Sequence, residues 1–121
     1  MTTEQQRKIL ECAAKACGFK KWRVLTSGLF QVSNNENWNE AFAKWTGWNP
    51  LTASADCAEM CAKLGICTLF FDNEQKVSCG FLAQDKGPTL AHIEQYGVSR
   101  LKAWMFAATI VAAKIGGYTD E

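Results

Sequence analysis

The most reactive side chains in this sequence are those of six cysteines and a single histidine. Cys57 and Cys61 are four residues apart, a spacing that places both thiols on one face of a helix. Two such thiolates could hold Zn²⁺ in a tetrahedral site with two further ligands taken from Cys12, Cys17 and His92. Zinc sites usually contain a C-x-x-C pair, however, and this chain has none. We therefore expect no metal, and we interpret the cysteines as reduced thiols that are mostly buried, where free Cys behaves as a small hydrophobic residue.

His92 is the only histidine, so a Cys–His pair or a Ser–His–Asp triad would have to use it as the base. The surrounding Ala-His-Ile segment indicates a strand or a loop, and nothing local supports a catalytic role. The glycines are isolated or end predicted helices, so they form no phosphate-binding loop. The sequence therefore predicts no catalytic residue and no cofactor.

Tryptophan is in excess, with five residues in a chain of 121. Trp38, Trp45 and Trp48 lie close together in the sequence, and Asn49 and four other asparagines lie beside them. Tryptophan rings stack on planar ligands while amides read polar edges, and tryptophan is also a frequent anchor at protein interfaces. The alternative is that one or two of these rings cap the core. We expect the segment to stay partly exposed, and we take these four residues as ligand-binding or partner-binding candidates.

Two small basic clusters could pair with a phosphate group. Lys20, Lys21 and Arg23 follow the first predicted helix, and Arg100 and Lys102 lie near the start of the last one. Clusters this short are usually solvated surface. We name Lys21 and Arg100 as the candidate phosphate contacts.

Length and composition indicate one globular domain that spans residues 1–121. Hydrophobic residues make up 48% and charged residues 21%, which is ordinary for such a domain. The net charge of +1 argues against a DNA-coating protein, which needs a broad basic face. No apolar run reaches the roughly 18 residues of a membrane span, and the polar N-terminal residues show no signal-peptide pattern. We therefore expect a cytoplasmic protein with no membrane partner and no nucleic-acid partner.

Helical periodicity predicts helices at about 3–17, 54–64 and 99–115. Thr3 with Gln6 three residues later has the form of a capping box for the first helix. Gly18, Gly65 and Gly116 follow the three helices as stops. In the third helix, large apolar residues extend around most of the circumference, which is typical of a helix that is deeply buried or lies in a subunit interface. On that basis we favour a homodimer or a larger homo-oligomer.

Strand patterns occur between the helices. A hairpin is predicted within 19–32, with its turn at 26–28, and a second at 66–71 and 76–83, followed by a third strand near 90–93. A short helical turn is predicted at 38–45. Strand pairs separated by helices indicate an α+β fold, in which a small antiparallel sheet of three to five strands carries three helices.

The segment Trp48-Asn49-Pro50-Leu51, followed by Asp56 and by Ala62-Lys63-Leu64-Gly65-Ile66, resembles a family of small proteins of lambdoid phages and enterobacterial prophages. Those proteins share a WNPL turn, an acidic residue or two and a helix that ends in A-V-K-L. The Ala-rich run 107–116 is similar to their last helix, whereas Cys57 and Cys61 depart from the family pattern. The resemblance implies a phage or prophage accessory protein in the bacterial cytoplasm, and it implies no catalytic residues.

These observations favour a non-enzymatic binding protein over an enzyme. Together with the resemblance, they predict a phage-encoded inhibitor of a host process such as anti-phage immunity. It would act by binding a host protein or by sequestering a nucleotide signal. Two alternatives stay open, namely a small cytoplasmic hydrolase or nuclease that uses a cysteine or His92, and a nucleic-acid-binding regulator.

Overall fold

The computed structural model describes residues 2–34, 44–81 and 90–119. In chain order the elements are α1 (Thr3–Ala16), β1 (Lys21–Val24), β2 (Phe30–Ser33), β3 (Thr46–Gly47), α2 (Ser54–Leu64), β4 (Cys67–Phe71), β5 (Lys76–Phe81), β6 (Leu90–Gln95) and α3 (Arg100–Ile115). A 3-10 turn, Asp72–Glu74, joins β4 to β5. The helical turn predicted at 38–45 lies mostly outside the described residues, and its last two residues, Lys44 and Trp45, are not helical.

The helix ends follow local chemistry, with one shift from prediction. The capping box of α1 is formed by Thr2 and Gln5, not by Thr3 and Gln6, so the predicted box was one residue too late. Helix α2 begins without a side-chain cap and ends at Gly65, whose φ of 75° is the left-handed conformation that glycine adopts readily. The Ser99 hydroxyl accepts a hydrogen bond from the backbone N–H of Lys102 and so caps α3.

The strands form two three-stranded antiparallel sheets, ordered β1-β2-β3 and β4-β5-β6. Both predicted hairpins are present, and the α+β class is confirmed. Strand β3 was not predicted, because a strand of two residues is too short to show alternation. The third strand of the second sheet extends two residues beyond its predicted end.

Helix α3 lies at the centre of the molecule, packed against α1, α2 and the β4–β6 sheet. Its buried residues include the continuous run 107–113. This central position accounts for the apolar circumference of the helix without a subunit interface, so the homodimer expected from that pattern stays a prediction. Within the described ranges, no helix combines the length and the apolar character needed to cross a bilayer.

Candidate functional site: a cavity beside α2

A cavity of about 730 Å³ opens between α2 and the β1–β3 sheet. Buried apolar side chains, including those of Val32 and Met60, form its floor. Charged side chains also line the cavity. They are Lys44, which precedes β3, and Asp56, Glu59 and Lys63 of α2. Small-molecule sites are typically clefts of about 300–1,000 Å³ with an apolar lining and a few converging polar groups. The cavity has that size and that kind of lining.

Two aromatic rings meet at one wall of the cavity. Phe19 and Trp48 pack edge to face with ring centroids 5.4 Å apart, and Phe30 lies behind Trp48 at 6.2 Å. Trp48 is only 7% exposed, so most of its ring belongs to the core and a small part can face a ligand. The ammonium group of Lys63 lies 5.5 Å from the centroid of the Phe19 ring, which places a cation next to the aromatic wall.

Asn49 holds the turn that leads from β3 into α2. Its backbone N–H donates to the Asp56 carboxylate at 3.0 Å, and its side-chain oxygen accepts from the backbone N–H of Leu51 at 3.0 Å. The buried ring of Pro50 completes the turn. Because these bonds use Asn49 to fix the chain, the residue positions the cavity wall and does not itself line this cavity.

Trp45 lies against the face of the β1–β3 sheet that is opposite Val32 and Trp48. The guanidinium carbon of Arg23 sits 4.2 Å from the Trp45 ring centroid, and Arg23 Nε donates to Gln31 Oε1 at 2.8 Å. The strand register places Arg23 and Gln31 on the face opposite Val32. Lys21, two residues before Arg23, belongs to the same face as Arg23. Trp45 and Lys21 are therefore separated from Trp48 by the sheet.

Arg100 is engaged elsewhere, at the start of α3. Its Nε lies 3.2 Å from Asp72 Oδ1, and its guanidinium carbon lies 4.0 Å from the Phe70 ring centroid. The Tyr96 hydroxyl donates to the same Asp72 oxygen at 2.6 Å. This cluster connects the 3-10 turn to α3, and none of its members lines the cavity.

The six candidate residues thus do not form one site. Trp48 lines the cavity, Asn49 shapes it, and Trp45, Lys21 and Arg100 lie elsewhere. Trp38 is outside the described residues.

Sequence reasoning missed Lys44 and Lys63. The position of Lys63 could have been inferred, because Asp56, Glu59 and Lys63 recur at three- and four-residue intervals and so share one face of α2.

The cysteines are free thiols, and their surroundings differ. Burial raises the pKa of Cys17 to about 11 and also raises the pKa of Cys79. The hydrogen bond that Cys57 donates to Cys61 raises the pKa of Cys57 and lowers that of Cys61. Across the described ranges, no group of three or more His, Cys, Asp or Glu residues is arranged to hold a metal ion.

His92 faces α3 from the second sheet. Its Nε2 lies 3.2 Å from Glu94 Oε1, and its ring packs edge-on against Phe106 with centroids 5.7 Å apart. Cys79 is its cross-strand neighbour but is fully buried, and the Cys79 thiol is hydrogen-bonded to the Thr68 hydroxyl at 3.5 Å. These contacts give His92 a packing role between β6 and α3.

Comparisons with known proteins do not assign the chain to a family. No protein-family model matches it, and no curated protein matches it. The likeness to phage and prophage proteins stays a prediction from the Trp48 turn and the last helix.

Proposed function

We propose that the protein is a non-enzymatic binding protein that holds a small planar ligand with an anionic group, such as a nucleotide, in the cavity beside α2. The observation that carries this proposal is the combination of an apolar floor with two lysines around a space of about 730 Å³. An apolar floor takes a flat ring, and converging polar groups orient it.

The lining also indicates which nucleotides fit. The ring of the ligand would lie on Val32 and Met60 beside the Phe19 edge, while Lys44 and Lys63 would pair with phosphate oxygens. Asp56 and Glu59 balance the charge of the two lysines, so a ligand with several negative charges would meet repulsion. A single phosphate group, as in a nucleoside monophosphate or a cyclic nucleotide, therefore fits better than a triphosphate.

The described lining residues favour binding over turnover. Their one thiol, Cys17, has a pKa raised to about 11 by burial, so it is a neutral thiol near pH 7 rather than a nucleophilic thiolate. His92 packs between β6 and α3 and does not line the cavity. The described lining therefore offers that thiol no imidazole, and its acid–base groups are the carboxylates Asp56 and Glu59, of which Asp56 already accepts the backbone N–H of Asn49.

The biological role that we propose combines the cavity with the phage resemblance. A phage-encoded protein in the bacterial cytoplasm that captures a nucleotide signal would inhibit a host process that depends on this signal, such as anti-phage immunity. The competing version, in which the target is a host protein, requires no small-molecule binding, so the same experiment separates the two.

Equilibrium dialysis or calorimetry against nucleoside monophosphates, cyclic nucleotides and triphosphates tests the proposal. We expect a monophosphate or a cyclic nucleotide to bind, and Lys63→Gln to weaken binding about tenfold, equivalent to about 1.4 kcal/mol for one charge-assisted contact. Lys102→Gln is the matched control, because Lys102 is exposed on α3 and does not line the cavity. Failure of every nucleotide to bind, or an equal effect of both substitutions, would reject the proposal.

A further inference from the structure

The β4–β6 sheet packs one face against α3 and leaves its other face open among the described residues. The strand register assigns alternate residues to this open face: Cys67, Leu69 and Phe71 of β4, Lys76, Ser78 and Gly80 of β5, and Ala91, Ile93 and Gln95 of β6. Leu69 is 64% exposed, Ile93 56% and Phe71 40%. The open face therefore presents three large apolar side chains to solvent.

This arrangement departs from the usual pattern of an antiparallel sheet. A sheet with one solvated face normally alternates apolar and polar residues along each strand. Strand β4 does not, because Phe70 faces α3 while Leu69 and Phe71 face outward. Clustered apolar surface of this kind marks an interaction site more often than scattered exposed residues do.

We propose that the open face of the β4–β6 sheet is the contact surface between two copies of this chain, packed sheet on sheet. Charge favours a second copy as the occupant. Within the register above, Lys76 is the one charged residue of the face, and its ammonium group lies 2.6 Å from Glu74 Oε2. A face without net charge meets its own copy without repulsion, whereas a strongly charged partner would find nothing complementary.

The shape of the face is also self-complementary. Leu69, Ser78 and Ile93 are direct neighbours across the three strands, so two large side chains flank a small one. Gly80 continues the trough beyond Ser78, whereas at the other end of the central strand the Lys76 ammonium lies 5.6 Å from the centroid of the Phe71 ring and so leans toward β4. A ridge along an edge strand of one copy can therefore fill the trough along the central strand of the other, at the spacing of about 10 Å typical of packed sheets.

The size of the face sets the strength of the expected dimer. Three strands about 4.8 Å apart and five or six residues long make a face of roughly 15 by 18 Å. Two such faces have a combined footprint of about 540 Å², and side-chain relief raises the area that they can bury to about 1,000 Å² at most, which is below the roughly 1,200 Å² at which stable interfaces begin. The dimer is therefore weak and reversible, with a dissociation constant in the micromolar range or above.

Sedimentation velocity over a concentration series, from low micromolar to millimolar protein, tests this proposal. The unmodified chain shifts from monomer to dimer as concentration rises, and Leu69→Lys or Ile93→Lys abolishes the shift by placing a charge in the contact. Val98→Lys is the matched control, because Val98 is 101% exposed and lies outside the face, so this variant still dimerises. Both test positions are exposed, so the variants keep their fold, as circular dichroism would verify.

Cys67 gives a second, independent measurement on the same face. Its exposed thiol becomes shielded in the dimer, so its reaction with a disulfide reagent slows as protein concentration rises in the unmodified chain, but not in Ile93→Lys. A monomer at every concentration would overturn the proposal, even if the face then captured a different protein. A dimer unaffected by both lysine substitutions would also overturn it. Nucleotide binding does not enter either test, because none of the residues of this face lines the cavity.

Discussion

Burial, rather than spacing in the sequence, determines the chemistry of each cysteine. The four-residue interval between Cys57 and Cys61 suggests a pair of metal ligands, yet the structure uses it for a thiol–thiol hydrogen bond inside the core. Cys57 and Cys79 are completely buried, whereas Cys67 is exposed on the open sheet face. A thiol reacts through its thiolate, so both access and pKa have to favour reaction.

Thiol reactivity should therefore differ strongly among the six cysteines. In native protein at about pH 8, Cys67 should react with a disulfide reagent first, and the half-buried Cys12 and Cys61 more slowly. Cys17, Cys57 and Cys79 should react only on unfolding, since all three are buried and the pKa of each is raised. Counting released reagent before and after adding denaturant measures this. Cys67→Ser should remove the fast phase and Cys79→Ser should leave it; a fast phase that survives Cys67→Ser would contradict the assignment.

The stability of the fold should fall at alkaline pH. Burial, followed by the hydrogen bond to Asp72, raises the pKa of Tyr96 above its ordinary value of 10.0. A raised pKa means that the folded state holds the proton more tightly. The resulting stabilisation is complete below the pKa that Tyr96 has in the unfolded chain. It is lost as the pH rises through the higher pKa of Tyr96 in the folded protein. Ultraviolet titration of tyrosinate should show a high-pKa component that Tyr96→Phe removes and Tyr118→Phe retains. Its persistence in Tyr96→Phe would show that another group is responsible.

At the scale of elements, short-range signals account for most of what the sequence predicted correctly. Glycine stops and apolar periodicity placed all three helices to within one or two residues, and turn residues placed both hairpins. The contacts between elements carry no such local signal. The close approach of α3 to α1 is an example, since it depends on Gly116, whose missing side chain leaves room for the backbone of α1 at Cys12.

Two glycine substitutions should separate a packing requirement from a conformational one. At Gly116 an added Cβ would overlap the carbonyl oxygen of Cys12, and backbone cannot move aside easily, so Gly116→Ala should cost about 3 kcal/mol or more. At Gly65 nothing lies within 4 Å, so Gly65→Ala should cost only the left-handed strain, about 1 kcal/mol. Urea denaturation measures both values. Equal losses of stability in the two variants would mean that the backbones of α1 and α3 are farther apart at Cys12 and Gly116 than in this structure.

At the scale of the whole molecule, the fold class could be predicted from the sequence, but the assembly of the site could not. Trp45 and Trp48 are three residues apart, and in extended chain an odd interval places side chains on opposite faces. The two-residue strand β3 was not recognised, so the rings were expected to act together. Strand β4 was predicted, but which of its apolar residues face solvent depended on its register with β5 and on the position of α3.

Replacing each of these two tryptophans should show that they belong to different parts of the molecule. Trp48 connects Phe19 after α1 to Phe30 of β2, so Trp48→Ala should remove about 3–5 kcal/mol from the free energy of unfolding. Trp45 keeps part of its ring exposed and stacks on Arg23, so Trp45→Ala should cost less, about 1–2 kcal/mol. Chemical denaturation followed by circular dichroism measures both values for the whole chain. Similar costs for the two variants would mean that Trp45 also supports the core, and the division of this aromatic segment between two faces of the small sheet would then be wrong.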